Sequence, residues 1–144
     1  MPLALSIVTA ERTILSREDV QRLVVPASEG QITVLPSHAP LMTSLGYGAL
    51  TAYCPGEIIV MAVFGGFLQV AHDQVIILAD AAERPDQIDE QRAEAARDRA
   101  VRRIAGELVG GEQQLDLARA RLALARATTR LRIARARRGA PVSA

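Results

Sequence analysis

Lysine is missing from this sequence: all seventeen basic residues are arginine, a bias expected of a GC-rich genome. Tryptophan is also absent and aromatics make up only 3% of the chain, so the apolar core must be built from Val, Ile, Leu and Ala. A single cysteine, Cys54, excludes an internal disulfide and fits a reducing compartment. No apolar run approaches the roughly 18 residues of a membrane span. The longest candidate, residues 58–64, has the length of a strand. The opening Met1-Pro2-Leu3-Ala4 has neither the basic nor the apolar region of a signal peptide. A chain without a direct membrane span is expected, with any membrane association made through a partner.

Catalytic groups are equally scarce. Two histidines and one cysteine, far apart in sequence, give no metal-ligand set and no nucleophile–base pair. The glycines lack both GxxxxGK[ST] and GxGxxG spacing, so no standard phosphate loop is present. His38 sits in a Pro-bracketed turn, His72-Asp73 reads as hairpin-turn chemistry, and Cys54 reads as a small apolar strand-end residue. The chain is not expected to be an enzyme or to need a cofactor.

The net charge of +1 conceals a split. Residues 1–87 hold four arginines against nine acids, whereas residues 88–144 hold thirteen against seven. Pattern divides the chain at the same place. The first part shows short alternating runs (Leu3, Leu5, Ile7; Leu23-Val24-Val25; Ile32, Val34) separated by turn signals. These signals are Ser28-Glu29-Gly30, Pro36 to Pro40, Gly46-Tyr47-Gly48, Pro55-Gly56, Gly65-Gly66 and His72-Asp73. Gly65-Gly66 reads as a tight hairpin. Many short strands at this spacing predict a sandwich or barrel over residues 1–87.

After Pro85 the composition turns to Ala, Arg, Glu and Gln. Asp86 is the expected N-cap of a first helix, with Asp89 and Glu90 in its first turn. A glycine-containing break at 106–111 leads to a second helix from about Gln113 to Arg138. Leu117, Leu124 and Leu131, flanked by Leu115 and Leu122, give that helix one narrow apolar stripe. The prediction is an N-terminal all-β sandwich (1–87), a C-terminal antiparallel two-helix hairpin (88–138) and a disordered tail (139–144). A pair of helices with so little apolar surface is marginal alone, and a marginal element can change position.

Three ordered stretches carry a resemblance. They are IVTAERTILSREDVQRLVVPASEGQITVLPSHAPLMTSL (7–45), FGGFLQVAHDQVIILADAAE (64–83), and IDEQRAEAARDRA with ARARLALARATTRLRIA in the helical part. Together they resemble the ε subunits of bacterial and chloroplast F-type ATP synthases across nearly the whole chain. Gln31 stands where that family usually has Glu, Thr33 where it has Gly, and Gln69 where it has Glu.

The resemblance implies a non-catalytic central-stalk rotor part at the cytoplasmic face of a bacterial inner membrane. Its β-domain would clamp the γ subunit of the shaft and rest on the membrane c-ring through segment 31–42, with Gln31, Pro36, His38, Pro40 and Met42 in contact or holding shape. Its hairpin would extend toward the catalytic α and β subunits and restrain ATP hydrolysis through the basic residues Arg126, Arg130, Arg132 and Arg135. In some relatives the folded hairpin binds ATP as a regulatory ligand. The matching positions here are Glu83, Ile88, Asp89, Arg92, Ala93, Arg99, Arg126 and Arg130. Guanidinium groups from two antiparallel helices suit triphosphate oxygens. Two other classes fit an Arg-rich helical hairpin, a nucleic-acid-binding protein and a coiled-coil scaffold. The acidic β part and the lack of aromatics for base stacking argue against nucleic acid.

Overall fold

The computed structural model describes the backbone of residues 1–107 and 113–139, and the side chains of residues 1–106 and 117–136. The expected tail beyond Gly139, the expected break after Glu107, and the side chains of Leu115, Asp116, Arg137 and Arg138 lie outside the described residues. The chain divides into two compact units, one of residues 1–84 and one beginning at Pro85.

The first unit contains eight strands: β1 (Leu3–Val8), β2 (Thr13–Val20), β3 (Arg22–Ala27), β4 (Gly30–Val34), β5 (Leu41–Cys54), β6 (Glu57–Ala71), β7 (Gln74–Ala79) and β8 (Ala82–Glu83). They pair in the order β2-β1-β7-β6-β5-β3-β4, with β8 also on β6. All described pairings are antiparallel except β1 with β7. This continuous sheet closes over one core as a sandwich. Alternation decides the facing: Leu3, Leu5 and Ile7 of β1, and Val75 and Ile77 of β7, are buried while their neighbours point outward. Leu23, Val25, Val34, Leu50, Met61, Val63 and Leu68 complete the core.

Two expected turns are instead bends inside long strands. Gly65-Gly66 lies within β6, and Gly46-Tyr47-Gly48 within β5; the two strands keep one register from Leu41↔Val70 to Cys54↔Glu57. At Gly65-Gly66 the partner of β6 changes from β7 to β8, with Asp80 N–H donating to Gly65 O and Phe64 N–H to Ala81 O. Gly66 has φ 124°, and a Cβ there would fall 2.0 Å from the Leu78 carbonyl oxygen. Glycine is required because two backbones approach where the sheet folds over. The remaining turn signals become the β3–β4, β5–β6 and β6–β7 connections and the β4–β5 loop. His72 and Asp73 form the β6–β7 turn with φ 51° and 59°.

In the second unit, Pro85–Gln87 forms a single 3₁₀ turn, followed by α1 (Glu90–Arg102) and, after wider turns at Arg103–Glu107, α2 (Gln113–Gly139). The N-cap of α1 is Asp89 rather than the expected Asp86. Proline suits the tight turn that holds Asp86, whereas the Asp89 side chain accepts from Arg92 N–H at 3.2 Å. The two helices pack on each other. Their buried positions are chiefly small: Ala93 and Ala100 on α1, and Ala120, Ala127 and Ala134 on α2, with Leu131 and Ile133. The expected leucine stripe is buried only at Leu131; Leu117 and Leu124 are half-buried and Leu122 is exposed. Alanines at seven-residue spacing allow a close helix approach that leucines would prevent.

Candidate functional site

The segment expected to act as one loop, 31–42, is three pieces. Gln31 is exposed in β4, Met42 is exposed in β5, and only residues 35–40 between them are irregular. Ile32 and Val34 alternate inward, which explains why β4 reaches so far. Inside the loop, His38 N–H donates to Leu35 O at 3.1 Å, closing a turn with Pro36 and Ser37 at its centre. His38 Nδ1 lies 2.7 Å from Ala39 O. Ser37 N–H donates to Asp73 Oδ1 at 2.6 Å, tying this loop to the β6–β7 turn. Both histidines therefore occupy one end of the sandwich, with His38 half-buried and His72 exposed.

An apolar surface adjoins that end. Met42, Phe67, Ile76 and Leu78 are 70%, 59%, 40% and 54% exposed. Strand register aligns them as two rows on one outer face, Met42–Gln69–Ile76 and Ser44–Phe67–Leu78. Only Met42 of this surface was expected from sequence. The available signal was the run Val75 to Leu78, in which apolar residues occupy both alternating faces of a strand; that is the pattern of a strand covered on both sides.

On the helical unit, Arg92 and Arg99 are exposed on α1, and Arg126 and Arg130 are half-buried on α2. Ile88 is half-buried with its N–H on Pro85 O, Asp89 caps α1, and Ala93 is buried. Glu83 belongs to β8 of the other unit, opposite Ala62. Of the basic set on α2, Arg132 is exposed, while Arg135 bridges to α1, with Nε 2.9 Å from Glu90 Oε1 and one terminal nitrogen 2.6 Å from Glu94 Oε1. Those bonds, first to Glu90, hold the guanidinium firmly protonated.

A second charged cluster closes the sandwich. Arg17 of β2 binds Asp19 through two nitrogens and reaches Glu57 at the start of β6. The Arg17 bond holds the Asp19 carboxyl below its ordinary range. Nearby, burial pushes the Cys54 thiol up, keeping it a neutral apolar filler. Among the described residues no three His, Cys, Asp or Glu side chains gather as metal ligands, and no helix is long and apolar enough to cross a membrane.

Comparison with known proteins agrees with this architecture. Residues 2–85 match the family described as ATP synthase, Delta/Epsilon chain, beta-sandwich domain. Residues 86–135 match that described as ATP synthase, Delta/Epsilon chain, long alpha-helix domain. The chain is 46% identical to the ATP synthase epsilon chain of Herpetosiphon aurantiacus over 138 residues, covering 96% of this chain and 98% of that one. It is 42% identical to that of Desulforamulus reducens, covering 90% and 95%. Among solved structures, a chain of the Euglena gracilis mitochondrial ATP synthase aligns with a TM-score of 0.79 at 21% identity, over 89% of this chain and 78% of that chain. A chain of the Tetrahymena thermophila central stalk and c-ring aligns at 0.65 and 12%, over 93% and 97%. The two domains match in order, and relatives of nearly equal length match from end to end, so the chain belongs to the ATP synthase delta/epsilon family as an epsilon chain, a non-catalytic subunit of the central stalk.

Proposed function

We propose that the chain couples proton or sodium translocation to ATP synthesis by joining the shaft to the membrane ring at the cytoplasmic face of a bacterial inner membrane. The observation carrying this reading is the surface that runs from the tied loop 35–40 onto the exposed rows of Met42, Phe67, Ile76 and Leu78. Exposed apolar side chains in adjacent rows mark an interaction site. The apolar rows suit the γ subunit, with which a permanent contact can form, and the polar loop with His38 suits the rim of the c-ring. Reconstitution tests this. A catalytic head stripped of its epsilon chain should bind both the full chain and residues 1–87; failure of both to bind overturns the reading.

The helical unit supplies regulation. Close packing through alanine buries little apolar surface, which supports a pair of helices able to separate and extend toward the α and β subunits. Separation releases Arg135 from Glu90 and Glu94, adding to the exposed positive charge of Arg132. In the titration above, the full chain should slow ATP hydrolysis and residues 1–87 should not.

ATP is the ligand that favours the closed pair, held by Arg92, Arg99, Arg126 and Arg130. The exposure of the first two and partial exposure of the others support this. A dissociation constant of about 1 mM, or about −4 kcal/mol, suffices for a sensor of cellular ATP. No binding to the isolated chain at several-fold that concentration sinks the ATP reading.

A further inference from the structure

We propose that Asp73 is the positioning residue of the docking loop, selecting its turn conformation by capturing the Ser37 amide; this rests on the docking reading above. Residues 35–38 form a β-turn closed by His38 N–H to Leu35 O. Pro36 occupies its second position, where type I and type II turns both accept proline. Ser37 occupies the third, with φ 68°. A positive φ there defines type II, and type II ordinarily needs Gly or Asn at that position. Serine supplies no such conformational freedom, so the turn type is set from outside.

The two turn types differ by a flip of the central peptide, between Pro36 and Ser37, which reverses the direction of the Ser37 N–H. Asp73 Oδ1 accepts that N–H at 2.6 Å, a charge-assisted bond available only to one orientation. Asp73 is itself well anchored. Its carbonyl accepts from Ala4 N–H at 2.9 Å at the start of β1, and it shares with His72 the left-handed conformation of the β6–β7 turn. One residue thus ties β1, the β6–β7 turn and the loop together. In the flipped turn the closing bond at His38 could persist, but the loop would carry its central peptide reversed. Neighbouring charge does not duplicate the tie: among the described residues, no other side-chain bond to loop 35–40 from elsewhere in the chain is seen.

The test combines amide exchange on the full chain with proton pumping per ATP hydrolysed in vesicles carrying the whole complex. Asp73→Ala should cost Ser37 at least about tenfold in exchange protection, while Leu68 and Ile77 in the core keep theirs. Asp73→Asn, which tolerates the turn and keeps an oxygen acceptor, should lose less. Pumping per ATP should fall with Asp73→Ala and recover in Asp73→Ala/Ser37→Gly, because glycine adopts the type II turn unaided. Unchanged Ser37 exchange in Asp73→Ala, or a pumping loss that Ser37→Gly does not recover, overturns the proposal. Met42→Asp separates the two readings. If it uncouples pumping and Asp73→Ala does not, Asp73 has no positioning role and docking stands; if Ser37 is released but neither variant alters pumping, the docking reading fails.

Discussion

The two units bury their interiors with different materials. The β unit fills its core with whole Leu, Ile and Val side chains, including Leu3, Leu5, Ile7, Leu23 and Ile77 at 0–1% exposure. The helical unit relies mainly on alanine methyl groups at Ala93, Ala100, Ala120, Ala127 and Ala134. Each large side chain withdrawn from water contributes about 1.5–3 kcal/mol, and a methyl much less. One unit is therefore committed to its fold, while the other holds together by close approach and the charged bridge from Arg135 to Glu90 and Glu94. The charge split follows the same line, with acid on the committed unit and base on the conditional one.

Breaking the committed unit should take one methyl group. Gly66→Ala places a Cβ against the Leu78 carbonyl at a positive φ and should destabilise the β unit by about 3 kcal/mol or more, read by denaturant unfolding. Ala127→Leu should destabilise the helix pair by about 1–3 kcal/mol through overpacking. Helical circular dichroism should then melt earlier while the β-unit transition keeps its midpoint. Leu78→Asp sharpens the distinction between stability and binding. Its side chain is more than half exposed, so stability should change by no more than about 0.5 kcal/mol, while affinity for the γ subunit drops by about tenfold or more.

The smallest effect is electrostatic. The Asp19 carboxyl is depressed by Arg17, so its contribution is complete above its ordinary value of 3.8 and is lost as pH falls through the lower folded value. Arg17→Leu should flatten the acid limb of the unfolding curve below about pH 4, measured against the unsubstituted chain.

Much of the fold was legible in the chain. The alternating runs of β1 and β4, the Pro55-Gly56 and His72-Asp73 turns, and the change of composition at Pro85 each follow from local chemistry. Gly65-Gly66 misleads because glycine marks both tight turns and places where backbones meet, and only the position of Leu78 distinguishes them. The leucine stripe misleads for a related reason. Reading by size favours Leu117 and Leu124, whereas two closely approaching helices bury their smallest residues. Of the candidate site, Pro36, His38 and Pro40 of the loop and Gln31 and Met42 of the flanking strands were singled out from sequence. Phe67, Ile76 and Leu78 were not, because each looks like core until the strand register assigns its face. Asp73 was legible as a turn residue, but its tie to the loop was not, since its bond to Ser37 joins residues 36 positions apart.

The constant register of β5 with β6 has a mechanical consequence. The paired strands resume the same register on either side of the bend, where only Gly46 and Gly65 are left unpaired with each other, joining the Leu41–Val70 end to the Cys54–Glu57 end. A force along the strands loads their ladder of hydrogen bonds in shear, so the bonds yield together rather than one at a time. A load applied at one end of this hairpin would therefore reach the other with little compliance, as a stiff bar carries load through a curved housing.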